Sequence, residues 1–284
     1  MLYTMKQLLD DAYKNHYAIP AFNFDNFELL MGIFQGAKQV QTPVIVQITE
    51  PAIEWLNVEN VVSMVKNEAE QCGLPVALHL DHANNFDIIK SCIKAGFTSV
   101  MIDYSDKDLQ QNMEMTRQVV DLAKNYNVTV ESEVGIVSNI NETDEQDNEF
   151  TNLNNAINFC KYTNIDVLGI SIGNTHGMRN RTASLDIERL VSINEKLQLP
   201  LALHGSSGVK EEDLAKAIKF GITKVNMETE LRVAFRKAIE DIFAEKPNEI
   251  KPRNIMAKVR QSISEHVIKH YKLLNSAGKY ANFS

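Results

Sequence analysis

Pro75-Val-Ala-Leu-His-Leu-Asp-His82 is an apolar run that ends in an acid and an imidazole. Its Val and Leu content fits a parallel strand covered on its outer side by helices. Working outward, two more runs end in the same way. Val167-Leu-Gly-Ile-Ser-Ile-Gly leads into Asn-Thr-His176-Gly, and Pro200-Leu-Ala-Leu-His204 leads into Gly-Ser-Ser-Gly208. If each run is a strand of one parallel sheet, three imidazoles arrive at the same end of it. Three imidazoles at one point suit a Zn²⁺ ion whose fourth position stays open for substrate.

The rest of the chain repeats the pattern. Strand-like runs fall at 19–23, 43–49, 75–80, 99–103, 128–133, 167–173, 200–204 and 223–226, with amphipathic segments such as 109–124 and 213–220 between them. That spacing gives one βα unit per ~35 residues, the repeat of a (β/α)₈ TIM barrel in the α/β class. Gly73, Gly96 and Gly221 stand at helix-to-strand turns. An open doubly wound sheet is the runner-up, weakened because no Gly-rich dinucleotide fingerprint follows the first strand. One barrel domain over residues 1–284 is expected, with a helical extension over about 252–284 that caps the barrel or serves an oligomer interface. Residues 138–155 are polar, acidic and Asn-rich. They follow the fifth strand, where a lid or a solvated loop would lie.

Composition narrows the function. The chain has 284 residues, 44% hydrophobic and 23% charged, with a net charge of −8. That balance argues against nucleic acid or an anionic membrane as partner, and no apolar run reaches the ~18 residues of a membrane span. Cys72, Cys92 and Cys160 show no metal-type spacing and read as reduced thiols of a cytoplasmic protein. The start of the chain reads as a helix and not as a signal peptide.

Reactive groups gather where strands end: Asn23, Thr49, Asp81 and His82, Asp103 and Ser105, Glu131 and Glu133, His176, His204 to Ser207, and Asn226 to Thr229. Polar residues at the carboxyl ends of barrel strands read as site residues, although Asp81 or Asn84 alone would also serve as a helix N-cap. Asp103 and Glu133 suit a second metal position or the orientation of the ligands. His79 lies inside its strand and reads as a hydrogen-bonded core residue; His16, His266 and His270 read as surface. The Gly205-Ser206-Ser207-Gly208 turn and the helix start at Asn226-Met-Glu-Thr229 together form a candidate phosphate cradle after the last two strands.

These motifs resemble the class II, zinc-dependent fructose- and tagatose-bisphosphate aldolase family. The likeness runs through Ala21-Phe22-Asn23, Leu80-Asp81-His82, Met101-Ile102-Asp103-x-Ser105, Val130-Glu131-Ser132-Glu133-Val134-Gly135, Ser171-Ile172-Gly173-Asn174-Thr175-His176-Gly177, Leu203-His204-Gly205-Ser206-Ser207-Gly208, Asn226-Met-Glu-Thr229-Glu230 and Ser276-Ala-Gly-Lys279. The length is closest to the tagatose-bisphosphate branch. The resemblance implies a lyase that reversibly cleaves a phosphorylated ketose to dihydroxyacetone phosphate and an aldehyde. It implies Zn²⁺ on His82, His176 and His204, with Asp103 and Glu133 near a second metal position. Asp81 would handle the hydroxyl proton. Asn23, Thr49, Gly177, Gly205, Ser206, Ser207, Asn226, Glu228 and Thr229 would meet the substrate or its phosphate, with a monovalent cation in some members. A cytoplasmic homodimer or homotetramer is expected.

Departures surround the substrate. The carbanion-protonating acid of the loop after the fifth strand falls on Asn141, with Glu142 beside it as the candidate. A phosphate-binding Lys is replaced by Asn180, flanked by Arg179 and Arg181. Glu228 stands where fructose-type members have Asp and tagatose-type members often have Ala. The aldehyde half therefore stays open, including a non-phosphorylated one. Three other classes are compatible with parts of the pattern: a Schiff-base aldolase using Lys224, which shares a strand face with Asn226; a barrel hydrolase, which commonly needs an H-x-H pair absent from the first strand; and a non-catalytic paralogue.

Overall fold

The computed structural model describes residues 2–138, 149–178 and 180–283. Eight parallel strands close into a barrel in sequence order, with β1 returning to pair with β8. The strands are β1 (Ile19–Asn23), β2 (Val44–Thr49), β3 (Val76–Ala83), β4 (Ser99–Ile102), β5 (Thr129–Val134), β6 (Val167–Ile170), β7 (Leu201–Leu203) and β8 (Ile222–Met227). The helices are α1 (Met5–Lys14), α2 (Phe27–Val40), α3 (Glu50–Leu56), α4 (Val58–Cys72), α5 (Phe86–Ala95), α6 (Leu109–Ala123), α7 (Leu153–Thr163), α8 (Ile187–Leu197), α9 (Glu211–Lys219), α10 (Thr229–Glu245) and α11 (Pro252–Leu273). This is the (β/α)₈ TIM barrel that the repeat predicts.

Strand residues alternate between two environments. Phe22, Val46, Leu78, Leu80 and Val100 face outward into the large apolar layer shared with the helices. Ile19, Ala21, Ile45, Ala77, Val167 and Ala202 face inward and pack with α1. Only the lower part of the interior is apolar. Above it the same inward positions carry Gln47, His79, Glu131 and Lys224, all buried, and then Asn23, Asp81, Glu133 and Asn226. The sequence reads as continuous apolar strands because the outward layer dominates the count.

The end caps differ from expectation. The lower end is filled by α1, whose Met5, Leu8, Leu9 and Ala12 are fully buried. Thr4 starts α1 with a capping box to Gln7. Lys6 N–H donates to Thr129 Oγ1 (2.9 Å), and Tyr3 N–H to the Val76 carbonyl (2.8 Å), tying α1 to the first residues of β5 and β3. The C-terminal helix α11 does not cap the barrel. It lies along α2 and α10 on the outside, and its tail returns to β1 and α2 through Ala18 N–H to Leu274 O and Gly278 N–H to Val40 O. His270, expected at the surface, is 1% exposed on this helix.

α2 and α11 cross closely because α2 presents Gly32 and Gly36, one turn apart. A Cβ on Gly36 would stand 2.7 Å from Val267 Cγ1 and 2.8 Å from the Ser264 carbonyl oxygen. Gly36→Ala is expected to lower stability by about 1–3 kcal/mol through overpacking, despite a helix-propensity gain of roughly 1 kcal/mol. Urea denaturation checks this; an unchanged or raised midpoint contradicts so close a crossing.

Candidate active site

Asp81 and His82 are neighbours on β3, and a regular strand would point them to opposite faces. The backbone solves this with an irregularity. The register between β3 and β4 shifts between Leu80 and Ala83, and His82 has φ 47°. A non-glycine residue in the left-handed region is uncommon, and such strain collects at functional sites. Its effect is that both side chains line one cavity. Glu50 Oε1 accepts from Asn84 N–H (2.7 Å) and Asn85 N–H (2.8 Å), fixing the turn that follows. Asn85 is the N-cap of α5, which leaves Asp81 and Asn84 without that structural duty.

His82, His176 and His204 meet as the sequence predicts. One ligand atom from each lies within 4.8 Å of the others. Each of two rings is held from behind by a carboxylate. His82 Nδ1 is 2.6 Å from Asp103 Oδ2, and His204 Nε2 is 2.8 Å from Glu131 Oε1. Protons on those two nitrogens leave His82 Nε2 and His204 Nδ1 to face each other at 2.8 Å. Two lone pairs so placed need a cation, and an outer carboxylate on a ligating imidazole is the usual arrangement around a metal. Glu133 Oε2 is buried, has no hydrogen-bond partner and lies 3.6 Å from His204 Nδ1.

The electrostatics agree. Asp81, Asp103, Glu131 and Glu133 surround the cluster, against the ammonium of Lys224. Burial alone would depress His82, but Asp81 and Asp103 outweigh it and push it up to about 10. Burial, and then the charge on His82, push His176 down to about 3, and burial also lowers His204. Burial, reinforced by Asp103, pushes Glu133 up to about 8. The pocket thus calls for positive charge at its centre, which a metal ion supplies in place of a proton. The donor set fits Zn²⁺: three nitrogen ligands, carboxylates behind two of them and an open side.

Asp81 is 3% exposed and bound by three amides. Asn23 Nδ2 and Gln47 Nε2 donate to Oδ2, and Asn226 Nδ2 donates to Oδ1, each at 3.0 Å. Burial opposes its ionisation, but His82 and Lys224 hold it well below the usual carboxylate range. It is a carboxylate beside the imidazole cluster.

The cavity holds about 460 Å³. Asn23, Thr49, Asp103, Glu133, Gly177, Gly205, Ser206, Ser207, Asn226, Glu228 and Thr229 line it together with Asp81, His82 and His176. Gly205 has φ 55°, and a Cβ there would stand 2.6 Å from the Thr175 carbonyl carbon and 2.8 Å from His176 N. Only glycine lets the turn after β7 press against the loop carrying His176. Asn174 stitches the same two loops, donating to the His204 carbonyl at 3.0 Å. Thr229 opens α10 and lines the same cavity as this turn.

Some expectations change. Arg181 does not line the cavity. It donates to Glu230 Oε1 (2.8 Å) and to the Val209 carbonyl (2.9 Å). Glu230 also pairs with His270, and this contact buries that histidine. Glu142 and Arg179 lie outside the described residues. Lys224 is fully buried and bonded to Glu131 and Asn226. Sequence reasoning missed Gln47 and Arg232. Arg232 lines the cavity while pairing with Glu228 (2.8 Å) and Asp25 (3.3 Å). Gln47 was discoverable as the one polar residue within Val44–Thr49 before its end, two positions from Thr49 on the inward face.

Known proteins share this architecture. The X-ray structure of the YdjI aldolase from Escherichia coli K12 is 29% identical, covers 99% of this chain and 100% of its own, and superposes with a TM-score of 0.86. A candidate fructose-1,6-biphosphate aldolase from Coccidioides immitis is 27% identical over 98% of both chains, with a TM-score of 0.86. Fructose-bisphosphate aldolase from Campylobacter jejuni, 22% identical over 98% of this chain and 97% of its own, shares the fold with a TM-score of 0.83. The family model described as Fructose-bisphosphate aldolase class-II matches residues 3–279. With that match spanning nearly the whole chain, the protein belongs to the class-II fructose-bisphosphate aldolase family.

Proposed function

We propose that the protein performs zinc-dependent, reversible aldol cleavage of a phosphorylated ketose, giving dihydroxyacetone phosphate and an aldehyde. The observation that carries this reading is the carboxylate of Asp81 standing beside three convergent imidazoles, two of which, His82 and His204, have their outer nitrogens bonded to carboxylates. Zn²⁺ on His82, His176 and His204 would act as a Lewis acid for the negative charge that develops as the carbon–carbon bond breaks.

The protein's own groups supply the rest. Asp81, held by Asn23, Gln47 and Asn226, takes the hydroxyl proton during cleavage and returns it in condensation. Backbone N–H groups of the Gly205–Ser207 turn and the start of α10 at Thr229 receive the phosphate. Gly177 and Ser206 shape that seat, and Asn226 reaches the triose half. Asp103 holds the His82 ring, and Glu133 supplies a further oxygen for a second metal position. Glu142 is the proposed acid that reprotonates the carbanion. A Schiff-base route through Lys224 is disfavoured, because its ammonium is enclosed and hydrogen-bonded. The unpaired thiols fit a cytoplasmic setting.

A second reading concerns the aldehyde half. Among the described residues Arg232 is the cavity's only Lys or Arg, and Glu228 and Asp25 already engage it. This favours a ketose 1-phosphate whose aldehyde half is an uncharged polyol over a bisphosphate of the fructose or tagatose type.

Three measurements check these readings. Asp81→Ala should retain bound Zn²⁺ and lose about 10²–10⁴-fold in kcat; near-full activity removes Asp81 from its role. Chelation should abolish turnover and Zn²⁺ restore it, while borohydride plus substrate should leave Lys224 unmodified; a covalent adduct there overturns the metal mechanism. In condensations with dihydroxyacetone phosphate, neutral polyol aldehydes should show higher kcat/KM than glyceraldehyde 3-phosphate; the reverse order restores the bisphosphate reading.

A further inference from the structure

Beneath the imidazole cluster lies a charged group with no assigned part in the reaction. Lys224 is 0% exposed on β8, inside the barrel. Its ammonium donates to two acceptors. Nζ is 3.1 Å from Glu131 Oε1 and 2.7 Å from Asn226 Oδ1, and it pairs electrostatically with Glu131 Oε2 at 3.1 Å without a hydrogen bond to that oxygen. Both recipients lead directly to the reacting groups.

On one side, Glu131 accepts from His204 Nε2 at 2.8 Å. A carboxylate can only accept, so the proton belongs to Nε2, and Nδ1 is left as the ligand atom. On the other side, the Asn226 amide has two possible orientations that hydrogen-bond partners must decide. Its oxygen is taken by Lys224, so its NH₂ group faces Asp81 Oδ1 at 3.0 Å. The reversed amide would set its oxygen against the Asp81 carboxylate and its NH₂ against the ammonium.

We propose that Lys224 is a positioning residue that fixes two features of the site from one place. Through Glu131 it sets the tautomer of His204, and hence which nitrogen offers itself to the metal. Through Asn226 it sets the amide that donates to Asp81. Metal binding and acid–base geometry thereby share one buried charge. The inference rests on the metal-dependent reading above.

The test compares Lys224→Met with the double variant Lys224→Met/Glu131→Gln. Zn²⁺ affinity is read by chelator competition, the Co²⁺ form by its visible spectrum, and kcat at saturating Zn²⁺. Lys224→Met leaves Glu131 buried without a counter-charge, and Asn226 free to reverse. Zn²⁺ affinity should fall about 10–100-fold, the Co²⁺ spectrum should change, and kcat should fall at least about tenfold, the scale of a lost outer partner.

The double variant separates the two arms. The oxygen of a glutamine amide can still accept from His204 Nε2, and its NH₂ can turn to His79 Nε2, which now lies 3.5 Å from Glu131 Oε2 with no hydrogen bond. Zn²⁺ affinity should return close to the wild-type value while kcat stays low, because Asn226 still lacks its donor. A folded Lys224→Met protein with wild-type affinity and kcat overturns the proposal. Recovery of kcat together with affinity in the double variant overturns the Asn226 arm. A variant-free check is the nitrogen-15 spectrum of histidine-labelled, zinc-loaded wild-type protein. His204 bound through Nδ1 with a proton on Nε2 is expected, and coordination through Nε2 overturns the proposal. Wild-type protein that binds no Zn²⁺ would instead sink the parent reading.

Discussion

A charge taken out of water must be answered inside the protein, and Glu131 and Lys224 answer each other within the barrel. Removing one partner of a buried pair of this kind costs about 3–5 kcal/mol. The pair stands midway between the apolar floor of Ile19, Ile45, Ala77 and Val167 and the polar mouth of Asp81, His82 and Asn226. From it, hydrogen bonds lead to the imidazole cluster on one side and to the Asp81 carboxylate on the other. The polar interior is therefore one connected network, and a connected network tolerates little independent movement of its parts. The strain at His82 is held in the same way, by Asp103 behind its ring and by Glu50 on the turn beyond it.

The fold was legible because its signal is periodic. Apolar runs at a spacing of ~35 residues admit few other architectures, and each predicted strand lies on an observed one, with its edges moved by a few residues. The three histidines were legible for the same reason, since equivalent strand ends meet at one face. Other features depend on contacts between distant segments, which periodicity does not carry. Strict alternation would separate Asp81 from His82, and only a local register shift brings them together. Arg181 looked free for a phosphate because Glu230, 49 residues further on, is not adjacent in sequence. His270 looked like a surface residue because its helix is polar on average, yet that helix lays this side chain against Phe22 and Glu230. Lys224 shared a face with Asn226 as parity required, but parity does not say that Glu131 stands opposite.

The cavity divides into two chemically unlike halves. Around the histidines and the Gly205 turn, Asn174, Ser206 and Asn226 are buried and hydrogen-bonded, so much of the geometry is set before any ligand arrives. At the rim, Glu228, Arg232 and Asp25 are partly exposed and bonded chiefly to one another. Exposed ion pairs of this sort contribute little to stability, which leaves such positions open to substitution at small structural cost. Burial, resisted by Arg232, raises the Glu228 carboxyl above its ordinary range. The half that carries the reaction is thus structurally constrained, whereas the half that meets the variable part of a substrate is not.

The floor provided by α1 has a kinetic meaning. Met5, Leu8, Leu9 and Ala12 fill the lower end of the barrel without exposure, so molecules come and go through the upper end alone. Gly205 and the buried Ser207 line the same cavity as the partly exposed Glu228 and Arg232. Under the proposed cleavage, a fragment nearer the opening departs before a deeper one, and in the reverse direction the deeper one arrives first. Such a blind-ended vessel imposes an ordered sequence of arrivals and departures. On that order, the last product to leave competes with the incoming substrate for the empty protein, whereas the first to leave does not.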